Sequence, residues 1–164
     1  MKTLKYTTFI FILLFCYTNS SAQIKKPTCG VLNINQVGVY NYSSEVLGNI
    51  TRREFSKLGF YEILYAEDIR PFLTEIDTNN LRYKNNSFNC YSKLCLVKSG
   101  EKIKADKMLS GQIEQMKDAI IISYRVIDVK SQNIEYSITK EFLNLNDQLK
   151  NMMVITLREM LGLE

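Results

Sequence analysis

The sequence predicts a single α/β domain, a mixed sheet of about five strands with helices packed on it, in the order β-α-β-α-α-β-β-β-α. Apolar spacing in the first half switches between strand-like and helix-like runs. From Lys107 to Phe142 it settles into period two with short turns, and the C-terminal stretch returns to helical spacing. The composition is globular, with 46% hydrophobic and 23% charged residues, two prolines (Pro27 and Pro71), no Gly/Ser-rich linker and no internal repeat.

Residues 1–22 stand apart as an expected signal peptide. Lys2 and Lys5 form a positive start, and Phe9 to Phe15 is an unbroken apolar run. Ser20-Ser21-Ala22 then supplies the small residues of a cleavage site between Ala22 and Gln23. The run is too short to cross about 30 Å of hydrocarbon. The expected mature domain is therefore 23–164, exported to the periplasm or the medium, with no transmembrane span after processing. Cys16 ends the apolar run as a lipidated cysteine would, but Phe15 occupies the place where such a site wants a small residue. That argues against lipid anchoring through Cys16.

Within the mature domain, Cys29 to Val37 alternates Val31, Asn33 and Asn35 against Leu32 and Ile34, which predicts one strand. Ser43 or Ser44 offers an N-cap oxygen, and Glu45 suits the positive end of a helix. Leu47, Ile50, Phe55 and Leu58 follow at roughly helical spacing, and Lys57 and Gly59 end the helix. Phe60 to Tyr65 is aromatic and β-branched, a second strand expected to lie parallel to the first through a right-handed crossover.

Asp68 to Ile76 reads as a short helix capped by Asp68, with Pro71 in its first turn. The asparagine-rich stretch Asp77 to Cys90 reads as a loop. Ser92 caps a further helix with Leu96, Gly100 and Ile103 on one face. Glycine there costs roughly 1 kcal/mol against alanine, so close packing on the sheet is its expected reason. Three strands follow, Met108 to Met116, Ile120 to Val129 and Ile134 to Phe142, with turns near Lys117-Asp118 and Ser131-Gln132-Asn133. In the middle one, Ile120, Ile122, Tyr124 and Val126 share a face while Ile121 and Ile127 load the other, as in a central strand. The last helix is expected to be capped near Asn144 or Asn146 and to bury Leu149, Met153, Leu157 and Met160.

The chain has no histidine, which removes Ser-His-Asp and Cys-His nucleophile systems and His-ligated metals. Three cysteines remain after processing. Cys90 and Cys95 are expected to form a structural disulfide closing a small loop, which leaves Cys29 a buried free thiol. Their four-residue separation differs from the two-residue spacing of exchange enzymes. Glu62, Glu67 and Asp68, like Glu101 and Asp106, lack a recognised metal-ligand spacing. No GxGxxG, GxxxxGK[ST] or GxSxG motif is present, so neither a metal nor another cofactor is expected. Loss of Lys2 and Lys5 lowers the net charge from +4 to +2. That balance gives no electrostatic footprint for nucleic acid, and the pairs Lys25-Lys26 and Arg52-Arg53 read as solvated surface charge. Tyr40 and Tyr42 lie after the first strand, where α/β folds open binding crevices, and are the candidate partner or ligand contacts.

Several segments together resemble a family. Phe55 to Ile63 (FSKLGFYEI) ends a helix in a glycine and enters a strand, and Glu67-Asp68-Ile69 opens a short helix. A cysteine-containing loop, Gly100 to Ile113 (GEKIKADKMLSGQI) and Arg125 to Val129 (RVIDV) follow. This series resembles the TolB N-terminal and CsgG-like group of small exported α/β domains in bacterial envelope proteins. The resemblance implies backbone constraints at Gly59 and Gly111 and turn-bonding roles for Asp106 and Asp128. It further implies protein contacts within secretion, envelope-spanning or assembly complexes and no catalysis; the sequence itself leaves the oligomeric state open, an oligomer being possible. Propeller-linked transport and pore formation are not implied, because the chain lacks the segments that carry them. The expected function is an exported, non-enzymatic protein-binding module of the cell envelope. The alternative is an exported hydrolase acting on a polysaccharide through two carboxylates.

Overall fold

The computed structural model describes residues 25–39, 41–65, 67 and 92–163. The signal peptide with Cys16, Ala22 and Gln23, the Asp68 to Ile76 helix, the loop to Cys90, and Tyr40 lie outside the described residues.

Six strands build one mixed sheet: β1 (Thr28–Val31), β2 (Asn35–Val37), β3 (Glu62–Leu64), β4 (Lys107–Gln115), β5 (Ala119–Asp128) and β6 (Ile134–Leu143). The lateral order is β3-β1-β4-β5-β6, and β2 also pairs with β4. β1 runs parallel to β3 and to β4, as β2 does to β4. β4, β5 and β6 form the expected antiparallel meander. Three helices are present among the described residues: α1 (Ser44–Leu58), α2 (Lys93–Ile103) and α3 (Leu149–Met160).

The expected strand over Cys29 to Val37 is interrupted. Val31 sits opposite Leu109 and Asn35 opposite Gln112, so four steps along this lane match three along β4. One residue is extra, which is a bulge, and a bulge reverses which face the following side chains occupy. Leu32 accordingly joins the smaller apolar cluster with Leu96, Val97, Met108, Ile127 and Val129. Ile34 joins the larger one with Cys29, Val31, Leu47, Phe55 and Tyr124. The alternation that placed Leu32 and Ile34 on one face is corrected by this extra residue. A hydrogen bond from Ile34 N–H to Ser44 O, 3.3 Å, ties the link to the start of α1.

α1 forms as its sequence signals direct. Ser43 caps it through Val46 N–H at 3.2 Å, Glu45 lies in its first turn and Lys57 in its last. Gly59 ends it in the left-handed region at φ 76°, a conformation that a Cβ would strain. Phe55 stacks on Tyr61 at 5.3 Å between ring centroids. β3 is shorter than expected, since Phe60 turns outward and Tyr61 turns into the core. α2 is capped by Ser92, whose hydroxyl accepts from Cys95 N–H at 3.3 Å. Gly100 is buried where helix and sheet meet, as its spacing required.

The cap expected for α3 at Asn144 or Asn146 is replaced by a short 3-10 turn, Asn146–Gln148. Asn144 instead donates its amide to Met116 O at 2.8 Å and Lys117 O at 3.2 Å, closing the β4–β5 hairpin. Leu149, Met153, Leu157 and Met160 are buried as expected, joined by Met152 and Thr156. The larger cluster joins α1 and α3 to one sheet face, and the smaller joins α2 to the other. Gly111 sits under the ring of Tyr124, where a Cβ would lie 2.6 Å from the ring carbons.

Candidate functional site

A crevice of about 370 Å³ lies between α1 and β3, lined among the described residues by Asn49, Arg52, Arg53, Ser56, Lys57, Ile63, Tyr65 and Glu67. Five of these are on α1. Asn49, Arg52, Arg53 and Ser56 fall at i, i+3, i+4 and i+7, so the helix presents them as one stripe. β3 contributes Ile63 from the sheet edge, and the exposed Tyr65 follows it.

Chain order puts α1 and β3 on the same side of β1. From β1 the chain goes through α1 to β3 on one side, then through α2 to β4 on the other. β1 is thus the strand at which the winding reverses, and the crevice lies on its α1–β3 side, toward the sheet edge and away from the β1–β4 junction where such folds usually open theirs.

Arg52 is only 7% exposed, so the reading of Arg52-Arg53 as a solvated pair is corrected for the first member. Its guanidinium donates to Val31 O at 2.7 Å, Asn49 Oδ1 at 2.8 Å and Asn33 Oδ1 at 3.3 Å. These bonds bind the end of β1, the bulged link and α1 together, and they fix a positive charge in the crevice wall. Arg53 and Lys57 stay largely exposed, and each also reaches Glu54, at 3.2 and 2.8 Å. Lys150 of α3 approaches the same carboxylate at 3.7 Å. The Lys57 hydrogen bond, helped by the other cations against partial burial, holds Glu54 below the usual carboxylate range. Glu54 is therefore an anion set among cations and has no proton to donate.

The crevice at Tyr42 is far smaller. Val39, Asn41, Tyr42, Ile113, Gln115, Ile120 and Leu149 enclose about 10 Å³, room for roughly one water. β2 explains this: the chain after β1 does not leave the sheet but rejoins β4, so Tyr42 is half-buried against the larger cluster.

Two carboxylates come together at the opposite end of the strands. Asp128 and Glu135 both contact Lys107 Nζ, at 2.7 and 2.8 Å. The Lys107 hydrogen bond, and then those from Ser131, hold the Asp128 carboxyl well below its ordinary range. Burial works against the Lys107 ammonium, but the bonds to Asp128 and Glu135 outweigh it and raise its pKa. A carboxylate-pair hydrolase needs one acid with a raised pKa and a cleft between the two groups. This pair is bridged by a cation and lines neither cavity. Asp128 does accept from the turn at Ser131 N–H, 2.6 Å, as the resemblance implied. Asp106 does not bond to a turn: its carboxylate accepts from Thr28 N–H and Oγ1 at 2.8 and 2.9 Å, clamping the start of β1.

Cys29 is a free, fully buried thiol, and burial pushes its pKa well above the ordinary thiol value, so no nucleophilic thiolate forms. Cys95 enters the first turn of α2 and packs against the smaller cluster. Among the described residues no group of three or more Cys, Asp or Glu side chains could hold a metal ion. No described helix is long and apolar enough to cross a membrane.

No protein-family model and no curated protein matches the sequence. Solved structures do share the fold. The LpoB C-terminal domain from Salmonella enterica aligns with a TM-score of 0.58 at 8% identity, over 77% of this chain and 90% of that one. A PelC dodecamer from Paraburkholderia phytofirmans gives 0.52 at 12% identity, over 84% and 86%. Lipoprotein GNA1162 from Neisseria meningitidis gives 0.53 at 14% identity, over 82% and 95%.

Proposed function

We propose that this chain is an exported, non-enzymatic module that binds protein partners in the bacterial cell envelope, within the TolB N-terminal and CsgG-like group that its sequence segments resemble. The observation that carries the reading is the fold held in common with the LpoB C-terminal domain and with a protein named as a lipoprotein. The chemistry of the described residues supports it: the Asp128 and Glu135 carboxylates are bridged by Lys107, and the Cys29 thiol is locked in the core. The dodecamer among the structures of this fold supports assembly with copies of itself as a second kind of contact. Export rests on the signal peptide of residues 1–22 with cleavage between Ala22 and Gln23, and a Cys90–Cys95 bridge suits that oxidising destination.

The test is affinity capture by the mature chain, residues 23–164, from envelope fractions of the source organism, with captured proteins identified by mass. The expected result is one or a few reproducible partners in stoichiometric amount. A chain that retains none, crosslinked or not, overturns the reading. Intact mass of the chain expressed at full length, residues 1–164, and recovered from the envelope fraction reports processing and bridge. An N-terminus at Gln23, no added fatty acyl group and the loss of two hydrogens are expected, and a retained 1–22 segment or an acylated Cys16 would overturn the reading of export with cleavage after Ala22.

A further inference from the structure

We propose that the crevice between α1 and β3 receives an acidic, extended segment of a protein partner, its carboxylates facing Arg53 and Lys57 and its backbone following the open side of β3. This deepens the protein-binding reading and rests on it. Size, charge and strand geometry carry it.

The crevice volume of about 370 Å³ is at the lower end of ligand sites, which run from about 300 to 1,000 Å³. That is room for a few side chains. Its described lining holds Arg52, Arg53 and Lys57 together with the acid Glu67. Glu54, behind the stripe, draws on Arg53 and Lys57 but also has Lys150. Among the described residues, Arg53, Lys57 and Lys150 thus stand around Glu54, so cations outnumber acids along this wall. Positive charge in a walled crevice favours carboxylates and steers them in.

Among the described strands β3 is the last of the sheet on its side, with β1 as its neighbour. Glu62 N–H donates to Pro27 O at 3.0 Å, toward β1. Because amide direction alternates along a strand, the Ile63 amide points away from β1 to the open side. Such an edge is a template for an added strand. In an extended peptide every second side chain points the same way, so acids at alternate positions would all face α1. A free oxyanion would use the cations but not the edge, and a lipid surface would use neither the depth nor the strand.

The test is a titration of 15N-labelled residues 23–164 with the peptide acetyl-Glu-Val-Glu-Val-Glu-amide, its Lys-Val counterpart, and inorganic phosphate. The acidic peptide should shift amide signals of α1 and β3, and its affinity should fall as salt rises. Arg53→Gln with Lys57→Gln should weaken binding roughly tenfold, as removal of close charge partners does. Ser56→Glu should do the same while leaving the Glu54 ion pairs in place, so it decides the matter if the double variant folds poorly. Lys130→Gln, in an exposed turn outside the crevice lining, should leave binding unchanged. Shifts confined to other elements, equal binding of the lysine peptide, or phosphate binding as tightly with the same shifts would each overturn the proposal. Envelope capture separates the two readings. A partner lost by Ser56→Glu supports the crevice. A partner still held by that variant overturns the crevice and leaves the protein-binding function standing. Capture of nothing by the unaltered chain overturns the function, and the titration alone then decides the crevice.

Discussion

Gly100 occupies the middle of a helix, where alanine would add about 1 kcal/mol of helix propensity. A Cβ there would lie 2.8 Å from Met108 Cγ and closer still to the branched, stiff Val129. Overpacking of this kind costs about 1–3 kcal/mol, so Gly100→Ala is expected to destabilise the fold by about 1 kcal/mol net. The urea midpoint checks it, and an upward shift would show slack between α2 and the sheet. Thr51 and Tyr124 make the opposite kind of contact, a buried polar one. Thr51 Oγ1 donates to Leu47 O at 2.9 Å, which leaves Tyr124 to donate its hydroxyl to Thr51 at 3.2 Å. Thr51→Val keeps the shape but strands the tyrosine hydroxyl, an expected loss of about 1–2 kcal/mol. Adding Tyr124→Phe should then recover part of that loss, and additive effects in the double-mutant cycle would show that the two hydroxyls do not depend on each other.

At the scale of elements, the lower end of the sheet is stitched by charge: Lys107 of β4 holds Asp128 of β5 and Glu135 at the start of β6, while Asp106 holds Thr28 of β1. The Thr28 N–H, then its hydroxyl, keep Asp106 below its ordinary range, as Lys107 does for Asp128. A carboxylate whose pKa is depressed by folding contributes stability above its unfolded pKa, about 3.9 for aspartate, and loses it as pH falls toward the folded value. The urea midpoint should therefore decline below about pH 4. Asp128→Asn should be less stable than the parent at pH 7 and should decline less steeply in acid; parallel curves would exclude Asp128 from the linkage. Caps and apolar faces were legible in the sequence because Ser43, Gly59, Ser92 and the Ile120–Val126 alternation act within one turn or one strand. The bulge after Val31 was not, since Leu32-Asn33-Ile34 alternates like any strand and only β4 supplies the count against which a residue is extra. Asn144 was misplaced for the same reason: a cap and a hairpin tie use the same amide, and the choice is made by Met116 and Lys117, which are distant in sequence.

At the scale of the molecule, the layering was legible and the crevice was not. Arg52 and Arg53 look alike in sequence, and they separate only when the end of β1 and Asn33 come to lie beneath α1. Sheet order also sets where the fold is firmest. β4 and β5 have a strand on both sides and apolar clusters on both faces, so their amides should exchange with solvent only through global unfolding. β6 is ten residues long, has β5 as its strand neighbour among the described residues, and exposes alternate side chains from Glu135 to Leu143. Half its backbone groups face outward, as on any free edge. Hydrogen exchange read by mass should therefore give slow peptides across Met108–Ile113 and Ile120–Ile127 and faster ones across Ser137–Leu143. β6 protected as fully as β5 would sink the free-edge expectation. If that protection fell on dilution, the cover would be a second copy of the chain, because only an intermolecular strand is lost as concentration drops.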